Sequence, residues 1–189
     1  VFALQALQHR GQEAAGIAVG DNTTITAEKD FGLVNQVFDE NSISVLEGDL
    51  AIGHVRYSTS GSKAAWEATQ PHISAIGEVL IALAHNGTLI NTEKIRNDLV
   101  HQGVQMLSTT DSEVASKLIA VETVKTNHLR DGISATMKQI KGAYAMVLCT
   151  PDSLYAFRDP YGIRPLSLGK MGDGCWVVAS ETCAFDIIG

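Results

Sequence analysis

With 189 residues, 45% of them hydrophobic and 19% charged, the chain can bury a full core and has the balance of a single globular domain. A net charge of −7, without any cluster of lysine or arginine, argues against nucleic acid and anionic membrane as partners. The apolar runs are far too short to span a bilayer, and three cysteines without CxxC spacing suit a reducing cytoplasm better than a disulfide framework.

Phe2, Leu4 and Leu7 predict a short amphipathic helix, with Gly11 as its C′ residue. Residues 14–19 read as a buried strand, Asp21-Asn22 as a turn, and residues 23–28 as the segment it leads into. Residues 32–38 are expected to form another strand and residues 50–57 a stronger one. Residues 61–70 form a polar loop before Pro71, and residues 79–84 a strand ending at Asn86-Gly87. Asn91 can cap a helix with Ile95 and Leu99 inward, which Gly103 ends. Thr110-Asp111-Ser112-Glu113 has the form of a capping box, opening a helix with Val114, Leu118 and Val121 on one face. A third helix carries Ile133, Met137 and Ile140. Strands over residues 143–149, 153–158, 166–169 and 175–179 follow. Strands in runs with helices grouped between them predict an α+β fold built on antiparallel sheets. No repeat or linker divides the chain, so one domain is expected.

Three features carry chemistry. Asn86-Gly87 presents a side-chain amide and a backbone N–H side by side, which an oxyanion hole requires. The same dipeptide is also the commonest hairpin turn signal. Arg56 and Asp111, at strand or helix ends, add an anion binder and a cation binder. Together they describe a pocket for the zwitterionic end and the reacting amide of an amino acid. The plainer alternatives are a structural ion pair for Arg56 and a dipole-favoured helix-terminal carboxylate for Asp111. His54 and His85 adjoin these residues and read as structural.

Several motifs occur in one order. They are Ala6-Leu7-Gln8-His9-Arg10-Gly11-Gln12-Glu13, Gly53-His54-Val55-Arg56-Tyr57-Ser58-Thr59, Ala84-His85-Asn86-Gly87 and Thr110-Asp111-Ser112-Glu113. Gly142-Ala143-Tyr144-Ala145, Arg158-Asp159-Pro160-Tyr161-Gly162-Ile163-Arg164-Pro165-Leu166 and Ala179-Ser180-Glu181-Thr182 continue the series. Together they closely resemble the class II glutamine amidotransferase domain of the amidophosphoribosyltransferases. The resemblance implies an N-terminal-nucleophile hydrolase fold, a four-layer α/β/β/α sandwich with two antiparallel sheets. It implies that Arg56 holds the α-carboxylate of glutamine, that Asp111 receives the α-ammonium and that Thr59 is a substrate-side hydroxyl. Asn86 and Gly87 would form the oxyanion hole. Arg10 and Gly11 rank below these as residues near the pocket. Arg158 to Leu166 is a rigid turn, typical of the family, with no chemical role assigned.

The family's nucleophile is a cysteine at the very N-terminus, whose own α-amine is the base. No cysteine lies near Val1, so roughly ten to twenty upstream residues are expected to be missing from a longer protein. Cys149, Cys175 and Cys183 read as structural thiols. Residues 1–189 would then be a type-2 glutamine amidotransferase domain. A phosphoribosyltransferase domain beyond residue 189 would bind phosphoribosyl pyrophosphate with Mg²⁺. Glutamine hydrolysis would supply ammonia for 5-phosphoribosylamine in de novo purine biosynthesis. No cofactor or metal is expected in this domain. An iron–sulfur cluster occurs in some family members, with ligands largely outside this stretch. The full-length protein is expected to be a cytoplasmic homo-oligomer. Two alternatives stand beside this one: a glucosamine-6-phosphate synthase type of amidotransferase, and a non-catalytic glutamine-binding module.

Overall fold

Seven α-helices and nine strands follow one another in a computed structural model that describes residues 1–57, 66–172 and 174–189. Helix α1 (Phe2–Ala6) precedes the hairpin of β1 (Ala14–Gly20) and β2 (Ile25–Phe31). Two short helices, α2 (Val34–Val37) and α3 (Glu40–Ser44), lead to β3 (Leu50–Arg56). A second hairpin pairs β4 (His72–Ile76) with β5 (Val79–Leu89). The helices α4 (Thr92–His101), α5 (Asp111–Thr126) and α6 (Leu129–Gln139) come next. The chain closes with β6 (Gly142–Cys149), β7 (Leu154–Arg158), β8 (Ser167–Lys170), β9 (Trp176–Ala179) and α7 (Cys183–Ile188). All pairing is antiparallel, in sheets of order β2-β1-β3, β4-β5-β6-β7 and β8-β9.

The layers follow from the two-residue period of β1 and β5. Ala15, Ile17 and Val19 of β1 pack outward against Leu4, Val34 and Phe38 of the first helical layer. Ala18 faces the other way and meets Ala82, Ala84 and Cys149 of the second sheet. This inner face is built from small side chains. A Cβ on Gly16 would stand 2.1 Å from the Gln70 carbonyl oxygen, and one on Gly20 2.6 Å from that of Pro151. Ile81 and Leu83 of β5 pack on the far side against Val114, Leu118 and Ile119 of α5, which α6 covers in turn. The result is the expected α/β/β/α sandwich, with β8-β9 as a third, two-stranded sheet. No helix among the described residues is long and apolar enough to cross a membrane.

The structure departs from the sequence expectations in several places. Residues 32–38 hold α2, not a strand: Leu33, Val34, Val37 and Phe38 have the three-to-four spacing of a helix face. Its first turn is held by side chains, Gln36 Oε1 accepting from Leu33 N and Gln8 Oε1 from Val34 N. Gly11 is extended, with φ −172°, so it is no left-handed cap. It is glycine because a Cβ would lie 2.4 Å from the Arg56 carbonyl carbon. The capping box is half made. Thr110 Oγ1 accepts from Glu113 N at 3.2 Å, but the Glu113 carboxylate turns to Leu107 N and Ser108 N instead. Asn91 likewise uses its side chain on Gln139 O and Lys141 N, not on its own helix. The helices α3 and α7 and the strand β4 are additional to the expected elements. The expected loop over residues 61–70 lies partly outside the described residues.

Because the sheets approach across glycine, Gly16→Ala is expected to destabilise the domain by about 1–3 kcal/mol, the range for overpacking. Urea unfolding measures it, and an unchanged midpoint would show that the Gln70 segment yields freely.

Candidate active site

Strand β5 does not end at Asn86-Gly87, and the dipeptide is not a turn. Asn86 pairs with Ala145 and Gly87 with Tyr144, and the strand runs on to Leu89. The backbone of Tyr144 is turned toward the far side of β6. Its N–H donates to Asp159 Oδ2 at 3.2 Å, and its carbonyl accepts from Asp159 N at 2.9 Å. Gly87 and Tyr144 therefore form a non-hydrogen-bonded pair, and the Gly87 N–H points away from β6. On that outer edge β4 reaches only as far as the His72–Leu83 pair.

The outer edge of β5 beyond Leu83 thus presents three N–H groups without a neighbouring strand. His85 N donates to Gln70 Oε1 at 2.7 Å, and Leu89 N to Asp111 Oδ2 at 2.9 Å. Between them, Gly87 N has no acceptor among the described residues. Gly87 adopts φ +150°, and a Cβ there would meet Ala143 O at 2.1 Å and His85 Nε2 at 2.9 Å. Only glycine fits.

Asn86 shares its face of β5 with Ala82 and Ala84, toward the inter-sheet space. Its Nδ2 is buried without a partner among the described residues, and so is Nη1 of Arg56, the last residue of β3. An unpaired buried donor costs roughly 1–3 kcal/mol. Two side-chain donors and one backbone donor, left open on one cleft of about 1360 Å³, mark a seat for acceptor oxygens. Asp111, the first residue of α5, lines the same cleft with one carboxylate oxygen already holding Leu89 N. Arg56, Asn86, Gly87 and Asp111 therefore meet, whereas Thr59 lies outside the described residues. Arg10 also lines the cleft and pairs with Glu181.

The segment before Asp111 is strapped from two sides. Buried Glu113 accepts from Leu107 N at 2.7 Å, Ser108 N at 2.6 Å and Ser108 Oγ at 2.7 Å. Arg96 donates to Ser108 O at 2.7 Å and Thr110 O at 3.2 Å.

The nearby imidazoles are neutral at pH 7. Burial, aided by His85, pushes the pKa of His54 down to about 4, and its Nε2 lies 3.2 Å from His85 O. Burial and the Lys29 charge push His72 down to about 3. Burial also lowers His85, against the opposing pull of Asp111 Oδ1 at 3.7 Å, while its Nδ1 lies 3.0 Å from Ser112 Oγ. A ring with pKa near 4 is too weak a base to activate a thiol at neutral pH. Cys149 is buried and its thiol is pushed up to about 11 by burial. No cysteine is among the described residues lining the cleft. No group of three or more His, Cys, Asp or Glu among the described residues could hold a metal ion.

The turn of residues 158–166 has a role that its sequence did not show. Asp159, 2% exposed, accepts from Tyr144 N, Tyr161 N at 3.0 Å and Ile163 N at 3.2 Å. It locks β6 at the residue opposite Gly87. The turn also brings the Arg164 charge near enough to His85 to oppose protonation of that ring. The signal was an aspartate followed by Pro-x-Gly, a side chain suited to capping its own turn.

The family described as Glutamine amidotransferase domain matches residues 54–186. The amidophosphoribosyltransferase of Synechocystis sp. is 46% identical over 191 residues, which cover 100% of this chain and 38% of that protein. The amidophosphoribosyltransferase of Bacillus subtilis is 42% identical over 191 residues, covering 100% of this chain and 39% of that protein. The solved structure of the glutamine phosphoribosylpyrophosphate amidotransferase from B. subtilis, complexed with ADP and GMP, matches with a TM-score of 0.87 at 42% identity. That match covers 99% of this chain and 40% of the other. The chain belongs to the glutamine amidotransferase domain family and has its N-terminal-nucleophile hydrolase fold. It spans 38–39% of the length of these curated relatives.

Burial raises the Asp159 carboxyl, but the backbone donors of Ile163, Tyr144, Tyr161 and Arg164 outweigh it and hold the pKa below its ordinary value. A depressed folded pKa contributes stability above the unfolded value, near 3.9, and loses it as pH falls through the folded value. Asp159→Asn is therefore expected to lower the urea midpoint at pH 7, with the gap to the parent narrowing below about pH 4. A gap constant with pH would contradict this role.

Proposed function

We propose that the chain is the glutaminase half of an amidophosphoribosyltransferase. It releases ammonia from glutamine for a phosphoribosyltransferase domain beyond residue 189 of the same polypeptide. That domain, with Mg²⁺, makes 5-phosphoribosylamine from phosphoribosyl pyrophosphate, in the cytoplasm and for purine synthesis. Relatives of that name, alike along the whole chain, support the choice of acceptor reaction. The observation that carries the glutaminase reading is the group of open donors, Arg56 Nη1, Asn86 Nδ2 and Gly87 N, sharing one cleft with Asp111.

In this reading the Arg56 fork pairs with the α-carboxylate of glutamine, and the Asp111 carboxylate with the α-ammonium. Those contacts fix how far the δ-amide reaches along β5. A thiolate attacks the amide carbon, a C–S bond forms, and the carbonyl π pair moves onto oxygen. Asn86 Nδ2 and Gly87 N–H hold that oxyanion. The C–N bond then breaks. The nitrogen leaves as ammonia with the proton first taken from the thiol, and water hydrolyses the thioester to glutamate.

The thiol belongs to a cysteine at the N-terminus of the mature protein, upstream of Val1, and its α-amine serves as base. Support comes from the neutral histidines and from the cysteines that stand away from the cleft. The edges of β3 and β9 both line the cleft.

In the full-length, cysteine-bearing enzyme, Asn86→Ala should lower kcat with glutamine by about 10²–10³ and leave ammonia-dependent synthesis intact. A rise in KM alone would make Asn86 a ground-state contact. Arg56→Lys and Asp111→Asn should instead raise KM for glutamine, again sparing the ammonia-dependent rate. Equal losses in both assays would remove these residues from the glutamine seat.

A further inference from the structure

The register of the β4–β5 hairpin pairs His72 with Leu83, Ile73 with Ala82 and Ser74 with Ile81. Continued by two residues, it places position 70 opposite His85. The backbone ladder stops at His72, and the Gln70 carbonyl lies instead against Gly16 of the other sheet. The side chain of Gln70 takes over the missing pairing. Its Oε1 accepts from His85 N at 2.7 Å, and its Nε2 donates to His85 O at 3.4 Å. A carboxamide is a peptide group at the end of a short tether, and here it stands where the next peptide of β4 would have stood. Gln70 is 8% exposed, and its backbone lies against Gly16, where a Cβ would come within 2.1 Å of its carbonyl oxygen.

The consequence falls on the next outward N–H along β5. Had β4 continued as backbone, it would have been in line to offer a carbonyl to Gly87 N and close the oxyanion site. Had it stopped with nothing in its place, His85 N would be a buried orphan and the strand would be free to shift there. We infer that Gln70 is a positioning residue: it ends the β4 ladder at His85, so that Gly87 N–H stays both fixed and open for the reacting oxygen. Asp111 does the same from the other side at Leu89 N. His54 Nε2, 3.2 Å from His85 O, shares the carbonyl. An oxyanion donor must be held to a fraction of an ångström, and a displacement of about 1 Å can cost about a hundredfold in rate.

This inference rests on the glutaminase reading above, and the test separates the two. In the full-length enzyme, Gln70→Leu keeps the bulk and removes both hydrogen bonds. It should lower kcat for glutamine hydrolysis roughly ten- to hundredfold with KM for glutamine near the parent value. Ammonia-dependent synthesis should stay at the parent rate. Gln70→Glu, which keeps an acceptor for His85 N, should recover most of the loss. If Gln70→Leu does not accumulate as folded enzyme, Gln70→Asn, one methylene short, should show the same fall in kcat at unchanged KM. A parent-like kcat in the folded variants would overturn the role of Gln70, as would equal loss of glutamine- and ammonia-dependent rates. A parent enzyme without glutaminase activity would overturn the underlying reading as well.

Discussion

Everything at the site depends on the outer edge of β5 being left without a strand partner from His85 to Leu89. Buried backbone N–H groups must find acceptors. Here two of three outward donors do, through the side chains of Gln70 and Asp111. The third, at Gly87, lies between them and is available only to something that enters the cleft. The rest of the molecule keeps that edge in place. Asp159 holds β6 behind it, α5 packs beneath it, and the glycines of β1 let the other sheet bring Arg56 within reach of the same cavity.

Opposite charges, Arg56 and Asp111, line one cleft. Arg56 ends β3 on one side of the cleft and Asp111 starts α5 on another, so each sits at the rim of a rigid element and not on a long loop. The buried imidazoles of His54, His72 and His85 stay neutral because burial and neighbouring cations disfavour protonation. Arg10 and Arg96 also line the cleft but are engaged, by Glu181 and by the Ser108 and Thr110 carbonyls, whereas Arg56 keeps an unpartnered buried nitrogen. In a site partly shielded from water such contacts are stronger than they would be at the surface.

The sequence singled out four residues, Arg56, Asn86, Gly87 and Asp111, that the fold brings to one cleft, but not the geometry that brings them there. Asn86-Gly87, Arg56 and Asp111 could be picked out because an amide beside a glycine, a guanidinium and a carboxylate are the groups an amino-acid amide requires. Arg56 and Asp111 stand at the strand and helix ends expected of them, but the strand expected to end at Asn86-Gly87 runs on to Leu89. Asn-Gly suggests a turn, and only the pairing of Gly87 with Tyr144 shows a strand passing through it. Residues 32–38 read as a strand in sequence but fold as the helix α2, because four apolar residues in seven satisfy either period over so short a stretch. Glu113 had the spacing of a capping box, but its carboxylate gains three donors by reaching back along the loop. Gln70 had no signal of its own. Its meaning depends on a hairpin register that a sequence does not display.

The most direct measurement is a crystal structure of the full-length, cysteine-bearing enzyme acylated by a glutamine analogue with an electrophilic carbon in place of the δ-amide. The account predicts the analogue's oxygen about 2.7–3.1 Å from both Asn86 Nδ2 and Gly87 N, with its α-carboxylate on Arg56 and its α-ammonium on Asp111. An oxygen directed away from Gly87 N, or an α-carboxylate that leaves Arg56 unpaired, would contradict it.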